Sequence, residues 1–136
     1  MKGEQYVETT IKMGGTGPNA GQVIYTPPRG NGVVEEMLDN LINFINDDEH
    51  YKLDHLIKMA IAHFQFEAIH PFRDGNGRTG RIFNIHYLTL KGLLDYPILF
   101  LSRYILDHKY DYYHCLQGVS QRGDWKSWIL FILRAV

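Results

Sequence analysis

The middle of the chain holds a twelve-residue stretch, His70 to Arg81, whose residue types could do phosphate chemistry. Glycines on both sides of Asn76 allow positive φ angles and a close backbone approach to a ligand. Arg78 and Arg81 are three residues apart, so a helix that begins here carries both on one face. Free N–H groups and the helix dipole make such a helix start an anion site, and arginines can fork onto phosphate oxygens. We therefore predict a phosphate cradle formed by Gly75, Asn76, Gly77, Arg78 and Arg81.

Two further residues of this stretch could supply a proton acceptor and a metal ligand. Asp74 directly precedes the glycines. A carboxylate beside phosphates is a common way to hold Mg²⁺, which keeps most of its waters and takes one or two protein oxygens. His70 has a side chain whose ordinary pKa suits proton transfer near neutral pH. We therefore expect His70 to be a general base and Asp74 to hold Mg²⁺.

The stretch resembles the signature of Fic domains, which reads H-x-F-x-(D/E)-G-N-G-R-x-x-R. All eight fixed positions match, namely His70, Phe72, Asp74, Gly75, Asn76, Gly77, Arg78 and Arg81. The resemblance implies transfer of AMP from ATP to a Tyr, Thr or Ser hydroxyl of a target protein, with release of pyrophosphate. It implies Mg²⁺ as cofactor and ATP as co-substrate. The related Doc toxin subgroup has Lys at the position of Gly77, so the resemblance does not favour transfer of phosphate.

Residues 7–26 predict a β-hairpin near the N-terminus, because two β-branched segments flank a glycine-rich turn. The resemblance implies that this hairpin is a flap over the active site. The flap would bind an extended segment of the target protein through backbone hydrogen bonds, and it would use Gln22, Val23, Ile24 and Tyr25. The alternative is a surface hairpin that only covers the core, and we favour the flap.

The spacing of apolar residues predicts five helices and therefore an all-α fold, a Fic-like helical bundle with a small β-hairpin flap, in a single domain of residues 1–136. The first predicted helix comprises residues 33–45, and the second is capped by Asp54 and leads to His70. The third follows the motif and stops at Lys91-Gly92. The fourth runs from a Ser102 cap to about Gly118, and the fifth is capped by Asp124.

The composition is that of an ordinary globular domain, with 45% hydrophobic and 21% charged residues in 136. A net charge of −1 argues against a nucleic-acid partner bound through a basic surface. The single Cys115 excludes an internal disulfide and a multi-cysteine metal site. No signal-type segment or membrane-length apolar run is visible, which predicts a cytoplasmic protein without a membrane partner. The chain ends at Val136 within an apolar helical pattern, which indicates a fragment of a longer protein.

Several residues with suggestive chemistry are interpreted as structural. His63 lies seven residues before His70, but no His-Glu-x-x-His pattern accompanies it, so we interpret it as a core or boundary histidine. The aromatic side chains at helical spacing are more typical of packing than of a nucleotide site. The remaining interpretations are a structural Glu67, a Phe72 that anchors the motif loop in the core, a solvated Arg73, and packing roles for Tyr87, Tyr112 and Tyr113.

Other functions remain open beside AMP transfer. They are Fic-type transfer of another phosphate-linked group, removal of AMP, hydrolysis at a His-Asp metal centre, and nucleotide binding without turnover. No histidine of the chain is followed by Asp, which argues against the metal-centre hydrolase. The intact His70 and Asp74 argue against a silent binding module.

The resemblance also bears on control of the activity. Many Fic proteins carry an inhibitory helix, (S/T)-x-x-x-E-(G/N), whose glutamate pairs with the second arginine of the signature, here Arg81. No Ser or Thr of this chain has Glu four residues later. We therefore expect Arg81 to lack an acidic partner in the chain, and restraint to come from an inhibitory segment outside it or from a partner protein.

Overall fold

The computed structural model describes residues 11–12, 18, 20–97 and 99–136. This part of the chain is a helical bundle, as predicted. Its helices are Val33–Asn46 (α1), His55–Ile69 (α2), Asn76–Leu90 (α3), Leu101–Asp107 (α4), Lys109–Arg122 (α5) and Trp125–Ala135 (α6). Two short strands, Ile11–Lys12 (β1) and Val23–Tyr25 (β2), pair antiparallel, with Ile11 opposite Tyr25. No helix of the described residues combines the length and the apolar character that a bilayer crossing requires.

Most of the predicted first strand and turn of the hairpin, residues 7–10, 13–17 and 19, lies outside the described residues. The described remainder of the predicted hairpin centres on the pairing of β1 with β2. The β2 strand lies beside α5, and the half-buried Tyr25 packs against the larger core cluster. The role of the hairpin as a flap stays a prediction.

The helix that carries His70 at its end, α2, is the centre of the bundle. It packs against α1, α3 and α6, and most of its residues are buried. As predicted, Asp54 caps its start, where Oδ1 accepts a hydrogen bond from the Leu56 N–H at 2.9 Å. Trp128 of α6 is fully buried and donates from Nε1 to the Ala60 carbonyl at 2.8 Å. A helix that is covered on so many sides is a rigid support for the residues at its end.

The single helix predicted from Ser102 to Gly118 is two helices, α4 and α5, so the prediction of five helices is wrong by one. The break is at His108, whose ring stacks on Tyr104 at 4.1 Å and hydrogen bonds to the Tyr104 carbonyl through Nδ1. The predicted Ser102 cap is also wrong, because α4 begins at Leu101 and Ser102 Oγ accepts from Arg81 Nε instead. The predicted Asp124 cap is confirmed by its hydrogen bond to the Ser127 N–H at 3.1 Å.

A cluster of charges fixes the far end of α3. The fully buried Lys58 of α2 is bound to Asp48 Oδ1 at 2.7 Å, and Lys91, just after α3, is bound to the other oxygen. These two hydrogen bonds lower the pKa of Asp48 to about 2, so Asp48 is a carboxylate over the whole physiological range. The cluster joins the α1–α2 loop to α2 and to the end of α3.

Candidate active site

The signature residues occupy the α2–α3 loop and the first turns of α3. His70 ends α2 with φ 49° and ψ 58°, and it is the single non-glycine residue with positive φ in the described chain. This left-handed conformation is uncommon for a residue with a Cβ and is held only where the surroundings fix it. Gly75, at φ 87°, then begins α3. The chain therefore reverses tightly between the two helices.

Asn76 holds this loop in shape. Its side chain is buried, and its Oδ1 accepts from the Phe72 N–H at 2.8 Å while its Nδ2 donates to the Phe72 carbonyl at 2.7 Å. Both ends of the amide are therefore used inside the protein. The prediction that Asn76 binds phosphate can apply to its backbone N–H and not to its side chain.

Phe72 differs from its predicted role as a hydrophobic anchor of the loop. Its ring is 42% exposed and lies 6.3 Å from the ring of Phe66. The loop is anchored through the backbone of Phe72, by Asn76, and not through its side chain. The exposed Arg73 agrees with the prediction that it is solvated.

The start of α3 has the features of an anion site. Among the described residues no side chain caps this helix, and its first turn contains no acidic residue. The first N–H groups of an uncapped helix carry a partial positive charge that favours phosphate. A Cβ at Gly77 would lie 3.0 Å from Arg81 Nη1, so the glycine lets the guanidinium lie against this turn. Gly77 and Arg81 are therefore adjacent in the first turns of α3, and their role in binding phosphate stays a prediction.

Asp74 and Arg78 form an exposed pair beside this helix start. Asp74 Oδ2 accepts from Arg78 Nη2 at 3.1 Å, and Oδ1 accepts from the Gly75 N–H at 2.8 Å. An exposed ion pair of this kind contributes about 0–1 kcal/mol, so either partner is easily given up to a ligand. The described residues contain no group of three His, Cys, Asp or Glu side chains that could hold a metal. A cation at Asp74 would need oxygens from a bound phosphate, which is the coordination that Mg²⁺ prefers.

A pocket of about 380 Å³ adjoins His70, a size within the range of small-molecule sites. One wall consists of His70, Gly77 and Arg81, and the other comes from α4 and α5. Its remaining lining residues are Glu67, Ile105, Leu106, Lys109, Tyr112, Tyr113 and Leu116. From the sequence, Glu67, Tyr112 and Tyr113 were interpreted as structural, and Lys109 carried no signal of its own. The signal that could have found them is spacing, since Lys109, Tyr112 and Tyr113 lie on one helical face.

Burial shifts the pKa values of two groups in this pocket. Burial lowers the pKa of the half-buried His70, and the nearby Glu67 carbonyl partly opposes this shift. The carbonyl does not form a regular hydrogen bond with His70 Nδ1. Burial raises the pKa of the Glu67 side chain to about 7, and the charge of Arg81 opposes that shift. His70 is therefore a neutral imidazole at neutral pH, which is the form that accepts a proton.

Arg81 is positioned from α4 and has an acidic neighbour. Its Nε donates to Ser102 Oγ at 2.9 Å. The expectation that the chain offers Arg81 no acidic residue requires a correction, because Glu67 lies close enough to interact with its charge. No ion pair joins the two side chains. Sequence spacing did not reveal this neighbour, since it depends on how α2 packs against α3.

His63 and Tyr87 agree with their structural interpretation. His63 is fully buried, with Asn84 Nδ2 at 2.9 Å from Nδ1 and the Tyr112 hydroxyl at 3.1 Å from Nε2. Its ring stacks on Trp128, and burial lowers its pKa to about 4. Tyr87 is buried in the core and does not line the pocket.

Comparison with known proteins places the chain in a family. A family model described as Fic/DOC family matches residues 3–88. The chain therefore belongs to the Fic/DOC family.

Relatives of the chain include three proteins named as adenylyltransferases. "Protein adenylyltransferase Fic" of Culex quinquefasciatus is 28% identical over 132 residues, which are 97% of this chain and 23% of that protein. "Protein adenylyltransferase fic-1" of Caenorhabditis elegans is 28% identical over 110 residues, 81% of this chain and 20% of that protein. "Protein adenylyltransferase Fic" of Drosophila mojavensis is 30% identical over 105 residues, 77% of this chain and 20% of that protein. The chain thus spans less than a quarter of the length of these relatives.

Proposed function

We propose that this chain transfers AMP from ATP to a Tyr, Thr or Ser hydroxyl of a target protein and releases pyrophosphate. The observation that carries the proposal is the shared pocket of His70, Gly77 and Arg81, which is lined both by a neutral imidazole and by the first turns of α3. The names of the three relatives support the same reaction. The pocket also has apolar and aromatic walls from α5, which suit the nucleoside part of ATP.

In this proposal the phosphates of ATP lie over residues 75–78 and the target hydroxyl lies between His70 and the α-phosphorus. His70 accepts the hydroxyl proton as the oxygen forms its bond to the α-phosphorus. The bond from that phosphorus to the bridging oxygen of the β-phosphate breaks, and pyrophosphate leaves with both electrons of the bond. The N–H groups of the α3 start and the nearby guanidinium groups stabilise the charge that develops on the phosphate oxygens.

Arg81 and Arg78 would hold the phosphates in different ways. Arg81 is fixed by Ser102 through Nε, which leaves its terminal nitrogens to the β- and γ-phosphates. Arg78 would exchange its weak exposed pair with Asp74 for a phosphate oxygen. A glutamate from an inhibitory segment or a partner protein would restrain the enzyme by occupying the Arg81 guanidinium before ATP does.

Asp74 is the residue that would hold Mg²⁺. Its side chain is 90% exposed and ends beside the helix start where the phosphates would lie. Bound Mg²⁺ would neutralise part of the phosphate charge and so favour departure of pyrophosphate.

Asp74→Ala is expected to remove most of the AMP transfer and to raise the Mg²⁺ concentration needed for what remains. The reason is that the described residues contain no group of three ligating side chains that could take the cation in place of Asp74. The measurement is transfer of labelled AMP at fixed ATP as Mg²⁺ is varied. Asp95→Ala, which changes an exposed acid after α3, is the matched control. An unchanged Mg²⁺ requirement in the Asp74 variant would place the metal elsewhere.

We also propose that β2, with Gln22, Val23, Ile24 and Tyr25, is the part of a flap that binds the target protein. Support comes from the exposure of Val23, 47%, and from the position of β2 beside α5, which lines the pocket. An extended target segment could add to this short strand pair through backbone hydrogen bonds.

Ile24→Pro is expected to weaken target modification more than ATP binding, because proline removes one backbone N–H from β2. Target modification is measured with a labelled α-phosphate, and ATP binding by calorimetry. Thr26→Ala is the control, since it changes an exposed side chain just after β2 and keeps the backbone donor. Equal losses of modification and ATP binding in the proline variant would mean that the hairpin is structural.

The test of the proposed reaction uses ATP labelled at either the α- or the γ-phosphate, incubated with the chain and a cell lysate. AMP transfer labels protein from the α-position only. Label from the γ-position would mean phosphate transfer, free labelled AMP would mean hydrolysis, and bound ATP without turnover would mean a binding module. Each of these last three outcomes contradicts the proposal.

A further inference from the structure

Glu67 is a buried acid of the pocket that the proposed reaction does not use. It is 6% exposed, it lies one helical turn before His70 on α2, and it lines the same pocket as Arg81. Its Oε1 has no hydrogen-bond partner among the described residues. Burying a polar atom without a hydrogen-bond partner costs folding free energy, so a functional role for Glu67 would explain why it is kept there.

Two glycines of α3 give Glu67 its place beside Arg81. A Cβ at Gly80 would lie 2.9 Å from Glu67 Oε1, closer than a side chain allows. A Cβ at Gly77 would lie 4.0 Å from the same oxygen and 3.0 Å from Arg81 Nη1. The acid and the guanidinium therefore approach the same face of the first turns of α3. They form no ion pair, and Arg81 donates to Ser102 instead.

The charge of the Glu67 side chain changes near neutral pH. Its pKa is raised by burial to about 7. Burial lowers the pKa of His63 to about 4 and raises that of Tyr112 well above its usual range, so both stay neutral. The titratable and charged groups that face Glu67 are His63 and His70 on α2, Arg81 on α3, and Lys109, Tyr112 and Tyr113 on α5.

We propose that the protonation state of Glu67 controls whether Arg81 can bind phosphate. As a neutral acid, Glu67 leaves Arg81 free to hold the terminal phosphates of a nucleotide. As a carboxylate, Glu67 draws Arg81 away from those phosphates. Glu67 is thus a positioning residue that acts through Arg81, and the inference rests on the proposed function. Nucleotide binding then favours the protonated form of Glu67, and phosphate affinity falls as the pH rises through neutrality.

The test compares the full chain with its Glu67→Gln variant, which keeps the shape and stays neutral at every pH. The probe is α,β-methylene-ATP with Mg²⁺, measured by calorimetry, and adenosine serves as a ligand without phosphates. If only the protein with a neutral Glu67 binds the analogue, the wild-type affinity should fall about tenfold between about pH 6 and about pH 8, relative to the affinity of Glu67→Gln. Glu49→Gln, which changes an exposed glutamate, is the control and should follow the wild type.

A second measurement uses only the wild-type chain, so that it does not depend on how the variant folds. The ¹³C signals of the glutamate carboxyl groups should include one that titrates near neutral pH, and addition of the analogue or of pyrophosphate should raise its pKa. The inference alone is overturned if wild type and Glu67→Gln show parallel pH dependence, if adenosine affinity changes as much as analogue affinity, or if the neutral-range carboxyl is absent or unmoved. Failure of both the analogue and pyrophosphate to bind at any pH contradicts the proposed function and this inference together.

Discussion

Replacement of His70 with Ala is expected to lower AMP transfer by about 10²-fold or more, with little change in ATP affinity. The imidazole is assigned to proton removal, whereas the phosphates are assigned to the start of α3 and the arginines. Burial keeps the pKa of His70 below its usual value, so the loss should be seen throughout the neutral range. The measurement is single-turnover transfer of labelled AMP, with ATP affinity determined separately.

The backbone of His70 requires a second variant, because its φ of 49° makes the effect of any substitution on folding a concern. His70→Asn is suited to this purpose, since asparagine tolerates the left-handed region and does not act as a base near neutral pH. His86→Ala is the control, because His86 is an exposed histidine of α3. Transfer near the wild-type rate in a folded Ala or Asn variant would rule out His70 as the general base.

The fold was predictable from the sequence where local signals decide it. Apolar spacing located α1, α2 and α3, and the Asp54 and Asp124 caps each accept a backbone hydrogen bond from two or three residues further along. Ser102 carries a similar local signal, yet its hydroxyl is taken by Arg81, which is 21 residues away in sequence. Contacts at that separation depend on the packing of α3 against α4, which no local pattern contains.

The break at His108 was missed for a related reason. Helix-forming residues precede and follow His108. At the change of backbone direction, the His108 ring stacks on Tyr104 and hydrogen bonds to the Tyr104 carbonyl. Because the break lets α5 begin at Lys109, it also decides which side chains form the second wall of the pocket. The tyrosines of this wall follow a helical spacing that is typical of packing, so their spacing does not assign them to a pocket.

Within the site, residue types were predicted better than their contacts. The signature placed His70, Gly77 and Arg81 together, and the structure joins them in one pocket. Asn76 was predicted only as a member of the phosphate cradle, and the hydrogen bonds of its side chain to the Phe72 backbone were not predicted. The burial of Glu67 beside Arg81 could not be foreseen, because it depends on the absence of a Cβ at Gly80, which lies on a different helix.

Arg81→Ala is expected to lower the kcat/KM of AMP transfer by about 10²–10³-fold, the range found when a fixed donor to a developing charge is removed. The guanidinium is held by Ser102 before ligand arrives, so little reorganisation is needed when negative charge builds up on the departing pyrophosphate. The measurement is the rate of AMP transfer at varied ATP. Arg103→Ala is the control, since Arg103 is exposed on α4 and pairs with the exposed Asp107.

Ser102→Ala separates the charge of Arg81 from its position. This variant keeps the guanidinium and removes one hydrogen bond, which is worth about 1 kcal/mol and hence roughly a fivefold loss of rate. If Arg81 acts through its charge on the phosphates, the loss in Arg81→Ala exceeds that in Ser102→Ala by a factor of about ten or more. Equal effects of the two substitutions would mean that Arg81 mainly joins α3 to α4. In that case the phosphates would depend on Arg78 and the N–H groups of the α3 start.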